Sequence, residues 1–150
     1  MRLRNFNILL VAMAACAAPA SAEPGDMVSV KITINVEDIQ TSRTVPPRTV
    51  DVEICMEKDH DVRVFSAPSK QKASCEIRDY QVSESMVTFQ ESCDFGSAKK
   101  ESAAMFEMRP DGFYGTIRTE LEIDGQISMI TDSSYEGTVT GECDYSPSVE

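Results

Sequence analysis

Tryptophan is absent, histidine occurs once, and aromatic residues supply only 7% of the chain. A single imidazole argues against zinc sites, which seldom manage with one histidine and no free thiolate. No glycine-rich loop that could cradle a phosphate is present among the seven glycines. No G-x-S-x-G elbow surrounds a serine, and His60 carries no signal for the partners that nucleophilic catalysis needs. Alternating acids such as Glu120 and Glu122 read as solvent-facing charge rather than as glycosidase carboxylates. The chain is therefore not expected to be an enzyme, and no cofactor is implied. Basic residues are scarce too, with 14 Lys+Arg against 25 Asp+Glu and a net charge of −11. Such a surface repels phosphate backbones and anionic lipid headgroups, so nucleic acid is not an expected partner.

One long apolar run exists, at residues 6–15, preceded by Arg2 and Arg4. It is too short to cross a bilayer, which takes roughly 20 residues. Ala20-Ser21-Ala22 follows as an A-x-A site, so residues 1–22 are read as a signal peptide cleaved between Ala22 and Glu23. Periplasmic or secreted bacterial localisation follows. The alternative is a lipoprotein anchored through Cys16, which ends the apolar run after two alanines. Residues 23–150 then form a single domain, expected to be monomeric. Removing Arg2 and Arg4 lowers Lys+Arg from 14 to 12 against an unchanged 25 acids, a mature charge of −13.

Alternation with period two dominates that domain. Val28, Val30, Ile32, Ile34 and Val36 share one face of a first strand. The paired prolines in "TSRTVPPRT" are expected to break the pattern, which resumes at Val50, Val52 and Ile54. A polar connector over 56–74 is expected to contain a helical turn. "CEIRDYQVSESMVTFQESC" reads as a hairpin about Glu84 and Ser85, followed by strands near 103–109 and 113–123. "DG" at 124–125 turns into two final strands near 126–131 and 136–143. The expected fold is all-β: an antiparallel meander of about eight strands, forming a curled sheet or a small closed or half-open barrel.

Beyond the leader four cysteines remain, Cys55, Cys75, Cys93 and Cys143, an even number that points to two disulfides in an exported chain. Strand parity sorts them. Cys55 and Cys75 oppose the apolar residues of their strands, whereas Cys93 shares parity with Phe89 and Cys143 with Val139. Bridged partners should leave their strands on the same side, so Cys55–Cys75 and Cys93–Cys143 are the expected pairs. A direct Cys75–Cys93 bridge would need a bulge that flips one arm of the hairpin.

The order of these segments, "PGDMVSVKITI", a strand ending "EICM", the cysteine-bounded hairpin, "DGFYGTIRTELEIDGQ" and a closing "GTVTGEC", resembles the bacterial exported family called domain of unknown function three-six-one-seven. The resemblance spans about residues 24 to 143. Met27 or Val28 stands where that family often has tryptophan, Phe89 takes the hairpin's aromatic position, and "CMEKDHD" replaces a commoner "CLTPED". What the resemblance implies is an envelope location and an all-β fold, with no catalytic residues.

The stretch "ICMEKDHD" is the one segment with candidate chemistry. Cys55 or Met56, Glu57, Asp59, His60 and Asp61 could act as metal ligands, but an oxidised Cys55 supplies no thiolate, and the acids lack calcium-loop spacing. Met105 and Met108 point to opposite faces of a strand, which argues against a copper site. The expected role is non-catalytic, a binding or envelope-interaction function with an unknown protein or small-molecule partner. One alternative is a barrel that takes a small apolar or amphipathic ligand against Val28, Ile32, Phe89, Ile117, Leu121 and Val139. A second is weak metal capture at the acidic loop 56–61.

Overall fold

Short polar turns send the chain back on itself, and each return lays an antiparallel strand beside its predecessor. The computed structural model describes residues 23–66 and 74–145. The leader, Cys16 and Ala22 lie outside that range. The strands are β1 (Glu23–Asp38), β2 (Arg43–Met56), β3 (Ser74–Ser83), β4 (Met86–Asp94), β5 (Ala98–Arg109), β6 (Gly112–Ile123) and β7 (Gln126–Tyr145). A 3-10 turn at Val62–Phe65 lies in the β2–β3 connector, where a helical turn was expected. No helix among the described residues is long and apolar enough to cross a membrane.

All seven strands form one antiparallel sheet in the order β2-β1-β7-β6-β5-β4-β3. The sheet is not closed, since β2 and β3 are its two edges. The open-sheet version of the expected fold is the one observed, and the closed barrel is not. Seven strands replace about eight because β7 runs unbroken through the polar stretch 131–134. There it pairs with β1 on one side and β6 on the other, so ladder bonds on both edges hold residues that alternation alone would release.

β2 likewise runs through Pro46 and Pro47, which the sequence reading placed in a break. Register passes from Ile34↔Arg48 to Val36↔Val45, so the two prolines oppose Asn35 alone. A bulge on an edge strand needs no donor from either proline, which reconciles them with the sheet.

One face of the sheet holds the core. Val28, Val30, Phe89, Phe106, Phe113 and Ile117 are buried there, with Tyr135 beside them. The predicted inward set of Val28, Ile32, Phe89, Ile117, Leu121 and Val139 lies on this face. The part of the connector that leaves β2 lies over this face. Phe65 packs there with ring centroids 5.4 Å from Phe113, 6.0 Å from Phe106 and 4.9 Å from Tyr135. Glycine makes room for the rings. A Cβ at Gly115 would lie 2.1 Å from the Phe106 ring, and one at Gly137 2.4 Å from that of Phe113, each across a strand pair.

The cysteine pairing differs from expectation. The bridges are Cys55–Cys143 and Cys75–Cys93, separated by 88 and 18 residues. Each error has the same cause, a bulge that reverses parity. Register in the hairpin passes from Arg78↔Gln90 to Gln81↔Thr88, leaving Asp79 and Tyr80 opposite Phe89. Asp79 takes φ +52° at that point. Cys75 is thereby turned inward to face Cys93. In β7, Met27↔Gly141 is followed by Val28↔Val139, so Thr140 is the extra residue; its hydroxyl donates to the Met27 carbonyl at 3.2 Å. Cys143 is thereby turned outward, to the side of Cys55. Partners do leave on the same side, but two bulges redraw the sides.

Candidate functional site

β1 begins, and β2 and β7 end, at one rim of the sheet, and the connector leaves from there. Asp26 shares the inward parity of Val28 and faces the turn formed by 57–60. That turn is closed by the His60 N–H donating to the Glu57 carbonyl at 2.9 Å, with His60 at φ +50°. Its geometry directs two side chains onto one carboxylate. Lys58 forms an ion pair with Asp26 Oδ1, and His60 Nε2 lies 2.8 Å from Asp26 Oδ2. His60 is 7% exposed, so the chain's only imidazole is a buried partner of Asp26. The hydrogen bond from Lys58, and after it the one from His60, hold the Asp26 carboxyl below its ordinary value. The same contact raises the Lys58 ammonium.

The rest of "CMEKDHD" disperses. Cys55 points outward into its bridge, and Met56 is buried under the connector. Asp61 caps the 3-10 turn, accepting from the Arg63 N–H at 3.0 Å and from its guanidinium at 2.6 Å. The Arg63 hydrogen bonds hold its carboxyl low. Arg63 then lies over the Tyr80 ring at 4.8 Å, which ties the connector to the edge strand β3. Among the described residues the candidates at 56–61 form no cluster of three ligand atoms, with His60 turned to Asp26 and Asp61 to Arg63. Met105 is exposed on β5 while Met108 packs against the core, the opposed placement expected of that spacing.

Two adjoining clefts open at this rim. One of about 340 Å³ is lined by the apolar Ile54, Met56 and Val64 together with Glu57, Asp61 and Tyr145. A neighbouring one of about 520 Å³ shares Glu57 and Tyr145 and adds Lys58 and Asp59. Glu23, the residue after the predicted cleavage point, is the first of β1 and borders this second cleft. Burial, and then the Glu57 carboxylate, push the Tyr145 phenol up.

Elsewhere, Cys75, Glu91 and Cys93 bring their ligand-type atoms within 4.8 Å of one another, with the two sulfurs bonded together. Glu91 is 1% exposed and stands 2.6 Å from Lys100 Nζ. That contact is an ion pair, and among the described residues Glu91 Oε2 has no hydrogen-bond partner. Sequence reasoning passed over both Asp26 and Glu91. Their signal was parity, since each is an acid at an inward position of an alternating strand.

The family model described as Protein of unknown function (DUF3617) matches residues 12–143, nearly the whole chain and all four bridged cysteines. The chain belongs to that family. No curated protein and no solved structure matches it.

Proposed function

We propose that this family member is an exported binding domain without catalytic activity, and that its working surface is the rim cleft between the end of β2, the connector and Tyr145. Its partner in this reading carries positive charge on an apolar body. One observation carries the proposal: the apolar Ile54, Met56 and Val64 line one cleft together with the Glu57 carboxylate, in a chain of net charge −11. Apolar floors with a few placed polar groups are the usual form of ligand sites. A binding role also fits the imidazole. Among the described residues no hydrogen bond joins His60 to a hydroxyl or thiol, and its Nε2 is committed to Asp26. Two disulfides and the leader-like N-terminus support an oxidising, extracytoplasmic setting.

Native mass spectrometry of protein purified from its host tests the proposal. The expected result is a co-purifying basic amphipathic compound that Glu57→Lys releases and that dissociates more readily as salt rises. Protein that carries nothing, together with binding of basic amphiphiles that ignores both Glu57→Lys and salt, would overturn it.

A further inference from the structure

We propose that reduction of the Cys75–Cys93 bridge creates a site for one zinc-class divalent ion, held by the two thiolates and the Glu91 carboxylate. Three potential ligand atoms already lie within 4.8 Å of one another. Two sulfurs on one tetrahedral ion stand roughly 3.8 Å apart, given bonds of about 2.3 Å, so side-chain rotation suffices to receive it.

Glu91 is the odd feature that a bare disulfide leaves unexplained. It is 1% exposed, and among the described residues its Oε2 has the Lys100 ammonium at 2.6 Å as an ion-pair partner but no hydrogen bond. A buried carboxylate can accept at several positions, so Glu91 keeps capacity for a further partner beside Lys100. Charge balances as well. A divalent ion with two thiolates and one carboxylate carries one net negative charge, which Lys100 at 2.6 Å neutralises. Access is also provided, because Cys93 is 1% exposed whereas Cys75 is only half-buried on the edge strand β3.

The chemistry needs a thiol or dithiol reductant. Two electrons and two protons pass to the S–S bond, giving two thiols and the reductant's disulfide. Binding of the ion then releases those two protons. Thiolate ligands favour zinc, cadmium or cuprous ions over magnesium and calcium. At Cys55–Cys143 no carboxylate among the described residues supplies a third ligand, which makes that bridge an internal control.

Calorimetry with Zn²⁺, and thiolate charge-transfer absorption with Cd²⁺, on the full exported chain test this. Protein treated with a phosphine reductant should take one ion per chain, and the disulfide form none. Glu91→Gln should weaken binding by more than the roughly 10-fold that loss of an outer-shell partner alone costs. Cys75→Ser should abolish it, and Cys55→Ser with Cys143→Ser should leave it. A reduced, folded chain that takes no ion, or an undiminished Glu91→Gln, overturns the proposal. Should reduction unfold the chain, recovery of the β-sheet circular dichroism on adding Zn²⁺ supports the site, and a chain that stays unfolded with Zn²⁺ counts against it.

Discussion

Cys55 and Cys143 stand 6.0 Å apart, Cα to Cα, although β1 runs between the strands that carry them. Strands two places apart in a sheet are normally almost 10 Å from each other, twice the spacing of about 4.8 Å. The sheet is pinched over Gly25, which pairs with Cys143. A Cβ there would lie 2.5 Å from the Met56 carbonyl oxygen, 2.8 Å from Tyr145 Cβ and 3.3 Å from Cys143 Sγ. The glycine of "PGD" is the space through which the bridge passes.

Gly25→Ala should therefore destabilise the fold by about 1–3 kcal/mol, the range for forcing atoms into a filled site. Urea unfolding should show a lower midpoint with an unchanged slope. A midpoint equal to that of the parent would show that β2 and β7 can separate freely at this rim.

Peptide mapping of unreduced protein should return Cys55–Cys143 and Cys75–Cys93, and no other pair. Chain entropy makes the bridges unequal. Closing loops of 88 and 18 residues contributes about 4.6 and about 3 kcal/mol respectively. Replacing Cys55 and Cys143 by Ala should thus cost more than replacing Cys75 and Cys93. The reverse order in equilibrium unfolding would mean that native packing, rather than loop closure, sets their contributions.

The Asp26 contacts give a pH dependence of definite sign. Its folded pKa is lowered from the ordinary 3.8, first by the Lys58 hydrogen bond and then by that of His60. Stability from this group is present above the unfolded value and disappears as pH falls through the folded one. Asp38, held low chiefly by the Thr41 backbone N–H, and Asp61, held low by Arg63, act in the same direction. Asp26→Asn should be less stable at neutral pH and should lose less stability below about pH 4. Curves for the two proteins that run parallel throughout would remove Asp26 from the acid response.

Phe106 is fully buried against Phe65, between Phe89 and Phe113 of the neighbouring strands. Phe106→Ala should cost about 3–5 kcal/mol. Phe65→Ala should cost less, because Phe65 is only partly buried, yet should raise binding of an apolar dye by uncovering the inner face. Equal dye signals before and after that change would show that the connector does not seal the core.

Much of the fold was legible. Turns at Glu84-Ser85 and Asp124-Gly125 appear where short polar signals stand, with Glu84 and Asp124 at φ +51° and Gly125 at +80°. Apolar residues at even positions of β1 and at odd positions of β4 and β6 face the core, because the pleat alternates whatever the neighbours are. The site was less legible. "CMEKDHD" stood out by composition, but its carboxylates and imidazole serve Asp26, Arg63 and the cleft margin rather than one ion. The cluster of Cys75, Glu91 and Cys93 joins residues from two strands, and Glu91 entered it only through its inward parity.

Alternation, cysteine number and turn residues are properties of a strand and its immediate flanks, and with them the sequence alone determined an all-β sheet, its inward set and the presence of two bridges. Which thiols meet is a property of pairs of strands. A single unopposed residue, Thr140 in β7 or the extra one at Asp79-Tyr80 in β3, reverses every side chain beyond it, and whether it is unopposed depends on the neighbouring strand. The same holds for β7, continuous because two partners bond it, and for prolines admitted because β2 has none on its far side. Register exists only between strands, so only the assembled sheet could decide it.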